Sequence, residues 1–138
     1  MKQLFFSPDG SCGLKKNSHI SFEFPIINPA YSGKNAKFVY GASIITDWFQ
    51  VLVKVSLESF ETLCTWKEPN CYVSEPCFVP RENSVAEDDG YLVANVLNVE
   101  KRVSFLLCLD ANSFQEVFRA NFDWVVPFGL HGNFSTSE

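Results

Sequence analysis

The sequence predicts an all-β protein of antiparallel strands that form part of a β-propeller. Three observations lead to this fold class. Apolar residues recur with a period of two rather than 3.6 along most of the chain. Valine and aromatic residues, which suit pleated surfaces, are abundant, with 14 phenylalanines among 138 residues. Finally, residues 52–63 align with residues 106–117 at a constant offset of 54, and each copy reads strand, turn, strand. A period near 50 built from antiparallel strands is typical of propeller blades.

The first half of the pattern contains short apolar runs cut by turn residues. Strands are predicted at 20–24, 37–45, 50–57 and 62–66, with a turn-rich stretch at 25–33. In the third of these, Val51, Val53 and Val55 alternate with the residues between them, so we expect a strand that is buried mainly on one face. The short gap before residue 62 predicts a hairpin.

The second half repeats the pattern. Pro76 and Pro80 predict a short extended segment at 75–80 on a sheet edge, since proline cannot donate to a strand ladder. Residues 91–99 and 103–110 form a predicted hairpin, and 116–122 a further strand. Gly90 follows three acidic residues, and we expect it to adopt a positive φ in a turn. That acidic triplet lacks the longer ligand spacing of a calcium loop.

Residues 1–18 are predicted to be a divergent leader or loop, and residues 19–138 the propeller part. The leader carries turn signals around Pro8 and Gly10 and shows no sustained periodicity. The remainder holds about two and a half repeats, whereas a stable array needs at least about three. We therefore expect open sheet edges that require further chain or a partner.

Composition excludes several classes of protein. The formal net charge is -5 and basic residues are scattered, so no nucleic-acid partner is expected. No apolar run suits a membrane span or a secretory signal, so the expected location is the cytoplasm, with a mitochondrial location or peripheral membrane contact as alternatives. Five cysteines without metal-site spacing are expected to be reduced and mostly buried.

Three residues are candidates for chemistry: Glu23, Glu75 and His131. Each glutamate lies between apolar neighbours on an extended segment, where a buried charge would need a partner. His131 lies near two glycines, which we expect to allow an unusual backbone bend. A histidine that binds a metal commonly donates its second ring N–H to a carboxylate, and Glu75 could accept from His131 in this way. The alternative is that both glutamates are ordinary solvent-facing strand residues and that His131 is a solvated loop residue.

The segment from residue 22 to residue 134 resembles the C-terminal part of the carotenoid cleavage oxygenases, the animal group with the β-carotene oxygenases and the retinoid isomerase of the retinal pigment epithelium. The motifs that match are Phe22-Glu23-Phe24-Pro25-Ile26-Ile27-Asn28, Val39-Tyr40-Gly41, Trp66-Lys67-Glu68-Pro69, Ser74-Glu75-Pro76-Cys77-Phe78-Val79-Pro80, Glu87-Asp88-Asp89-Gly90, Leu107-Cys108-Leu109-Asp110-Ala111 and Pro127-Phe128-Gly129-Leu130-His131-Gly132-Asn133-Phe134.

The resemblance implies the last blades of a seven-bladed propeller with a non-haem Fe(II) on its axis. In this family four histidines hold the iron, and glutamates back three of them. His131 matches the last ligand, Glu75 matches the glutamate that backs it, and Glu23 matches one that backs another ligand. The implied reaction is O₂-dependent cleavage of a carotenoid double bond to apocarotenals or retinal, and one branch instead isomerises and hydrolyses a retinyl ester.

This chain departs from the family pattern at the other ligands. The first three histidines belong to upstream blades, and His19 does not match any of them. Besides the possibility that the chain has no independent fold, two interpretations therefore follow. The chain is the C-terminal portion of an iron-dependent carotenoid oxygenase, or it is a non-catalytic module that binds an apolar ligand, a membrane or a full-length paralogue.

Overall fold

Antiparallel β-strands form nearly all the regular structure in the computed structural model, which describes residues 2–6, 12–16, 21–45, 48–129 and 131–135. A single 3-10 turn, Pro29–Tyr31, lies among these residues. The strands are β1 Lys2–Phe6, β2 Cys12–Lys16, β3 Glu23–Ile26, β4 Phe38–Ile44, β5 Phe49–Ser56, β6 Thr62–Trp66, β7 Cys71–Val73, β8 Cys77–Pro80, β9 Gly90–Asn98, β10 Val103–Asp110 and β11 Glu116–Asn121. The described part of the chain contains no helix long and apolar enough to span a membrane.

The strands form two antiparallel meanders and one separate hairpin. The first sheet has the order β3-β4-β5-β6. The second has the order β11-β10-β9-β7, and β8 pairs with another part of β9 on the same edge as β7. Strands β7 and β8 thus act as one edge strand that is interrupted between Val73 and Cys77. Each meander has the four-stranded form of a propeller blade, which confirms the predicted all-β partial propeller.

The sequence repeat corresponds to the same turn in both sheets. Phe60, between β5 and β6, and Phe114, between β10 and β11, both have φ of 59°. The N–H of Phe60 donates to Ser56 O, and the N–H of Phe114 donates to Asp110 O, at 2.9 and 2.8 Å. In each turn one side chain accepts from two backbone N–H groups that follow it. The Ser56 hydroxyl accepts from Glu58 and Ser59, and the Asp110 carboxylate accepts from Asn112 and Ser113. A positive φ is rare for a bulky residue, so its occurrence at matched positions supports a real structural repeat.

The two sheets share a hydrophobic core. The first sheet contributes buried side chains from β4 and β5, and the second contributes the alternate residues of β9 and β10. The buried core residues include Tyr40, Ala42, Leu52, Leu92, Ala94, Val96, Phe105, Leu107 and Leu109. Phe114 stacks on Tyr40 with ring centroids 6.3 Å apart. The repeated turn of the second sheet therefore packs directly against the first.

Strand β5 differs from its prediction, because both of its faces are buried. Val51, Val53 and Val55 form a second apolar cluster with Val39. The opposite face carries Lys54, which is only 3% exposed. Alternation indicated one apolar face, but the opposite face is covered as well by the neighbouring sheet.

The acidic loop before β9 fastens the two sheets together. The Glu87 carboxylate accepts hydrogen bonds from the backbone N–H groups of Lys37 and Phe38 at 2.8 to 2.9 Å. Lys54 Nζ lies 2.8 Å from Asp88 Oδ2. Since a buried charge needs a partner, these contacts explain how Lys54 and two carboxylates are tolerated between the sheets.

The expected positive φ at Gly90 is wrong. Gly90 begins strand β9, and Gly33 is the glycine with positive φ among the described residues. A Cβ at Gly90 would lie 2.6 Å from Phe78 Cζ and 2.6 Å from Val79 O. Glycine is required here because β8 and the Phe78 ring approach too closely for any side chain.

Two further differences concern short strands. Within the predicted leader 1–18, β1 and β2 pair as an antiparallel hairpin, so the loop expected there is wrong for these strands, while the proposed division at residue 18 stays a prediction. Strand β7 was not predicted, because three residues between turn signals give no measurable period.

The turn residues 7–11 and His19 lie outside the described residues. Of the cysteines whose side chains the structure describes, Cys71 and Cys108 are buried and Cys64 and Cys77 are half-buried, all as free thiols.

Candidate functional site

Both candidate glutamates lie where an edge strand is irregular. In the first sheet the β3–β4 register shifts between Glu23 and Ile26, and Phe24 has φ of 54°. In the second sheet Glu75 lies in the gap between β7 and β8. Both the backbone N–H and the hydroxyl of Ser74 donate to Asn95 O at 2.9 Å. Pro76, the next residue, has no N–H to donate to the strand ladder. The edge strand is therefore interrupted here, and Glu75 does not belong to a regular strand.

The C-terminal segment after β11 crosses the second sheet without regular structure. Ser104 fixes its start, because Ser104 Oγ accepts from Val126 N at 3.0 Å and donates to Val126 O at 3.4 Å. Phe128 then stacks on Phe49 of the first sheet with ring centroids 6.3 Å apart. These anchors direct the following residues toward the edge where β7 gives way to β8.

His131 and Glu75 meet at that edge. Glu75 Oε2 lies 3.1 Å from His131 Nδ1 and also accepts from the backbone N–H of Gly132 at 3.1 Å. The carboxylate side chain is 17% exposed, whereas the imidazole is 80% exposed. When Nδ1–H donates to the carboxylate, the lone pair of the ring stands on Nε2, which is the tautomer that a metal ligand requires.

The glycines near His131 do not have the role that the sequence suggested. Neither Gly129 nor Gly132 has a positive φ, and a Cβ at either would meet nothing within 4 Å. Gly132 contributes through its backbone N–H, which donates to the Glu75 carboxylate and so attaches the C-terminal segment to it. The expected unusual bend is therefore wrong.

Phe24 brings the first sheet into the site. Its ring meets the imidazole of His131 edge to face, with centroids 6.1 Å apart, and packs on Phe49 at 4.8 Å. Glu23, the residue before it, is exposed and pairs through its backbone with Ala42 of β4, but its carboxylate makes no hydrogen bond or ion pair with the described part of the chain. The structure thus brings together Glu75 and His131, and it leaves Glu23 outside that pair.

A cavity of about 380 Å³ lies between the second sheet and the C-terminal segment. Glu75 and His131 form part of its wall, and its remaining surface is mainly apolar. The residues that line it are Ser74, Glu75, Cys77, Val93, Ala94, Asn95, Leu106, Val126, Pro127, Gly129, His131, Gly132, Asn133 and Phe134. The sequence analysis did not identify Asn95 as a residue of this cavity. A polar amide within the mainly apolar strand β9 is the sequence signal that could have identified it.

The described residues do not form a complete metal site. No group of three or more histidine, cysteine, aspartate or glutamate side chains lies close enough to hold an ion within the described ranges. His131 offers one exposed nitrogen that is oriented by a carboxylate. Selectivity for a transition metal depends on the number and geometry of its ligands. The described residues therefore fit a single ligand position of a transition-metal site.

The family model described as Retinal pigment epithelial membrane protein (RPE65) matches residues 3–136. A carotenoid dioxygenase of Neurospora crassa is 39% identical over 116 residues, which cover 80% of this chain and 18% of that protein. The β,β-carotene 15,15'-dioxygenase of Mus musculus is 36% identical over 115 residues, which cover 81% of this chain and 20% of that protein. The chain spans about a fifth of the length of the curated relatives it matches.

Solved structures are similar over nearly the whole chain. A variant of the Synechocystis apocarotenoid oxygenase superimposes with a TM-score of 0.89 and 26% identity, covering 97% of this chain and 29% of that one. The cobalt-substituted form of the Synechocystis enzyme gives the same values.

Proposed function

Because this chain belongs to the RPE65 and carotenoid oxygenase family, we propose that it forms the C-terminal portion of a non-haem Fe(II) carotenoid oxygenase. The complete protein would use O₂ to cleave a polyene double bond of a carotenoid, giving apocarotenals or retinal. The relatives include proteins named as carotenoid and torulene dioxygenases. The expected substrate class is therefore an apolar polyene of the carotenoid or retinoid type.

The contact between His131 and Glu75 carries this proposal. A ring nitrogen bonded to a carboxylate leaves the other nitrogen free to bind a metal, and the bond fixes the orientation of the ring. The second hydrogen bond, from Gly132 N–H, keeps the same carboxylate oxygen aligned with the backbone that carries the histidine. The cobalt-substituted form of a solved relative is consistent with a metal site in the family.

Each residue has a defined part in the proposed site. His131 would bind Fe(II) through Nε2, and Glu75 would accept the Nδ1 proton and hold the ring. Glu23 would back a different histidine, which lies in the part of the protein that precedes these blades. The bound iron would supply O₂ activation. The same proposal places the protein in the cytoplasm, with a mitochondrial location or peripheral contact with a membrane as the alternatives.

A chimera tests this proposal. The matching C-terminal part of the Synechocystis apocarotenoid oxygenase would be replaced by this chain, and iron content and apocarotenal products would be measured. We expect a chimera that binds iron and forms product, whereas His131→Ala should lose most of the iron and the activity. Asn121→Ala, on β11 and outside the lining of the cavity, is the control. A folded His131→Ala chimera with full iron content would contradict the proposal.

A second candidate is a non-catalytic module that binds an apolar ligand, a membrane or a full-length paralogue. The observation that favours it is the exposure of Val117 and Phe118 on β11, at 51% and 50%, at an open sheet edge. Such an edge can accept another strand. Size-exclusion chromatography of the chain with and without a complete relative separates the two functions, since only the module requires a stable complex. A monomer that binds neither lipid vesicles nor the relative would contradict it.

A further inference from the structure

Phe24 combines a positive φ with a position inside a strand. Its φ is 54°, whereas the other non-glycine residues with positive φ in the described part of the chain lie in turns between strands. The left-handed conformation is a genuine outlier for a bulky side chain. Pro25 follows, and the residue before a proline prefers an extended backbone. Two local preferences are therefore overridden at this position, so the surrounding structure must hold the conformation in place.

A bulge in the edge strand accompanies this conformation. Between Glu23 and Ile26, strand β3 has one more residue than the stretch of β4 that pairs with it. An extra residue of this kind re-aims a side chain, and bulges are common beside functional sites. The Phe24 ring packs on Phe49 with centroids 4.8 Å apart and also reaches the imidazole of His131. The bulge thus directs an aromatic ring of the first sheet at a side chain carried by the C-terminal segment.

The Glu75 carboxylate alone does not fix the orientation of the His131 ring. A hydrogen bond of 3.1 Å at Nδ1 limits the position of that atom but not the tilt of the ring plane. The imidazole is 80% exposed, so few neighbours oppose such a tilt. The Phe24 ring stands at 89° to the imidazole, and aromatic rings favour this arrangement because the positive edge of one meets the negative face of the other. The aromatic contact therefore restricts the movement that the hydrogen bond permits.

We propose that Phe24 is a positioning residue for His131, whose imidazole plane it sets so that Nε2 points in one direction. The consequence for metal binding rests on the proposed function, but the positioning itself requires no metal. Glu23, the preceding residue of the same bulge, backs a different ligand in the proposed site. One bulge would then act on two ligands and fix them relative to each other.

The test is NMR of the full chain without metal. Order parameters of the Cδ2–H and Cε1–H bonds of His131 measure how firmly the ring is held. We expect them to fall from about 0.85 in the unmodified protein to below about 0.6 in Phe24→Leu, which keeps an apolar side chain but lacks the ring. Phe24→Tyr keeps the ring and should retain the unmodified values. The exchange rate of the Gly132 amide should change in neither variant, because its hydrogen bond to Glu75 remains.

Phe114→Leu is the matched control for loss of an aromatic ring. Phe114 also has a positive φ, of 59°, and its ring stacks on Tyr40 in the core between the sheets. Its replacement should lower the melting temperature and leave the order parameters of His131 unchanged. The comparison separates orientation of the imidazole from a general loss of packing. Equal loss of imidazole order in Phe24→Leu and Phe114→Leu would overturn the proposal.

Iron binding by the chimera with the Synechocystis apocarotenoid oxygenase gives a second measurement. Phe24→Leu should bind Fe(II) about tenfold more weakly than the parent chimera, and Phe24→Tyr equally well, as expected for a residue that orients a ligand. Equal affinity of Phe24→Leu and the parent would overturn the proposal. If the parent chimera binds no iron, the proposed function fails, while the order parameters still decide the role of Phe24.

Three NMR results would also overturn the positioning role. They are unchanged imidazole order in Phe24→Leu, lost order in Phe24→Tyr, and an imidazole of His131 that is already mobile in the unmodified protein. The last result requires no variant, so it decides the question even if Phe24→Leu does not fold.

Discussion

Glu75 and His131 are 56 positions apart in the sequence, and the fold places Glu75 Oε2 3.1 Å from His131 Nδ1. Two local features produce this contact: the break between β7 and β8, and the anchoring of the C-terminal segment on Ser104. One carboxylate oxygen then holds both the imidazole and the backbone N–H of Gly132. The pair thus fixes a segment that has no regular structure of its own.

Replacing Glu75 by glutamine should loosen that segment. The neutral amide accepts more weakly than a carboxylate, so we expect the Gly132 amide to exchange with solvent about fivefold faster, which corresponds to roughly 1 kcal/mol. Amide hydrogen exchange measured by NMR gives this rate directly. Glu82→Gln, at an exposed position in the loop after β8, is the matched control. Unchanged exchange at Gly132 in Glu75→Gln would contradict the role assigned to the carboxylate.

Replacing Lys54 by methionine should destabilise the protein strongly. Asp88, whose side chain is 12% exposed, would keep its charge without the ammonium 2.8 Å away. Removing one partner of a buried ion pair costs about 3 kcal/mol in the free energy of unfolding, which urea denaturation measures. The double variant Lys54→Met with Asp88→Asn should recover part of that loss. Lys101→Met, on an exposed turn, should change stability little, and a similar small effect at Lys54 would refute this account.

Replacing Gly90 by alanine should cost about 2 kcal/mol of unfolding free energy, as overpacking typically does. The new Cβ would lie 2.6 Å from both Phe78 Cζ and Val79 O, and the latter is backbone that cannot swing away. Gly129→Ala is the control, because a Cβ there meets nothing within 4 Å, so its change should stay within about 0.5 kcal/mol. Thermal and chemical denaturation of both variants give the comparison. Equal stability of the two would show that close approach does not require glycine at position 90.

Replacing Asp110 by asparagine should reduce the loss of stability in acid. Burial opposes ionisation of Asp110, but hydrogen bonds from Ser113 and Asn112 and the charge of Arg81 together hold its pKa below the ordinary 3.8. A carboxylate with a lowered pKa contributes stability that is complete above its unfolded pKa and is lost as pH falls through the folded value. The melting temperature of Asp110→Asn should therefore be lower than that of the unmodified protein at pH 6; the two should begin to converge only below about pH 4 and should meet once the pH is below the lowered pKa of Asp110. Parallel curves over the whole pH range would exclude this contribution.

Much of the fold followed from local pattern. The strands at 62–66 and 103–110 have the predicted bounds, and the repeat at offset 54 appears as the same turn, with Phe60 and Phe114 at matched φ. The hairpin of β1 and β2 and the short strand β7 were missed, because their backbone pairing leaves no periodic signal. The positive φ predicted for Gly90 was wrong. The sequence alone does not distinguish a glycine that adopts a positive φ from a glycine that is required because a neighbouring strand lies too close for a side chain.

The sequence by itself determined the all-β class, the antiparallel meanders, the family and the identity of the candidate residues Glu23, Glu75 and His131. Tertiary structure alone decided which of them meet: Glu75 with His131, and neither with Glu23. It also revealed Phe24 against the imidazole, the buried Lys54 and the unpartnered amide of Asn95. Local sequence fixes period and turn chemistry, whereas these contacts join residues far apart in the chain, and their distances depend on how two sheets and a crossing segment pack together.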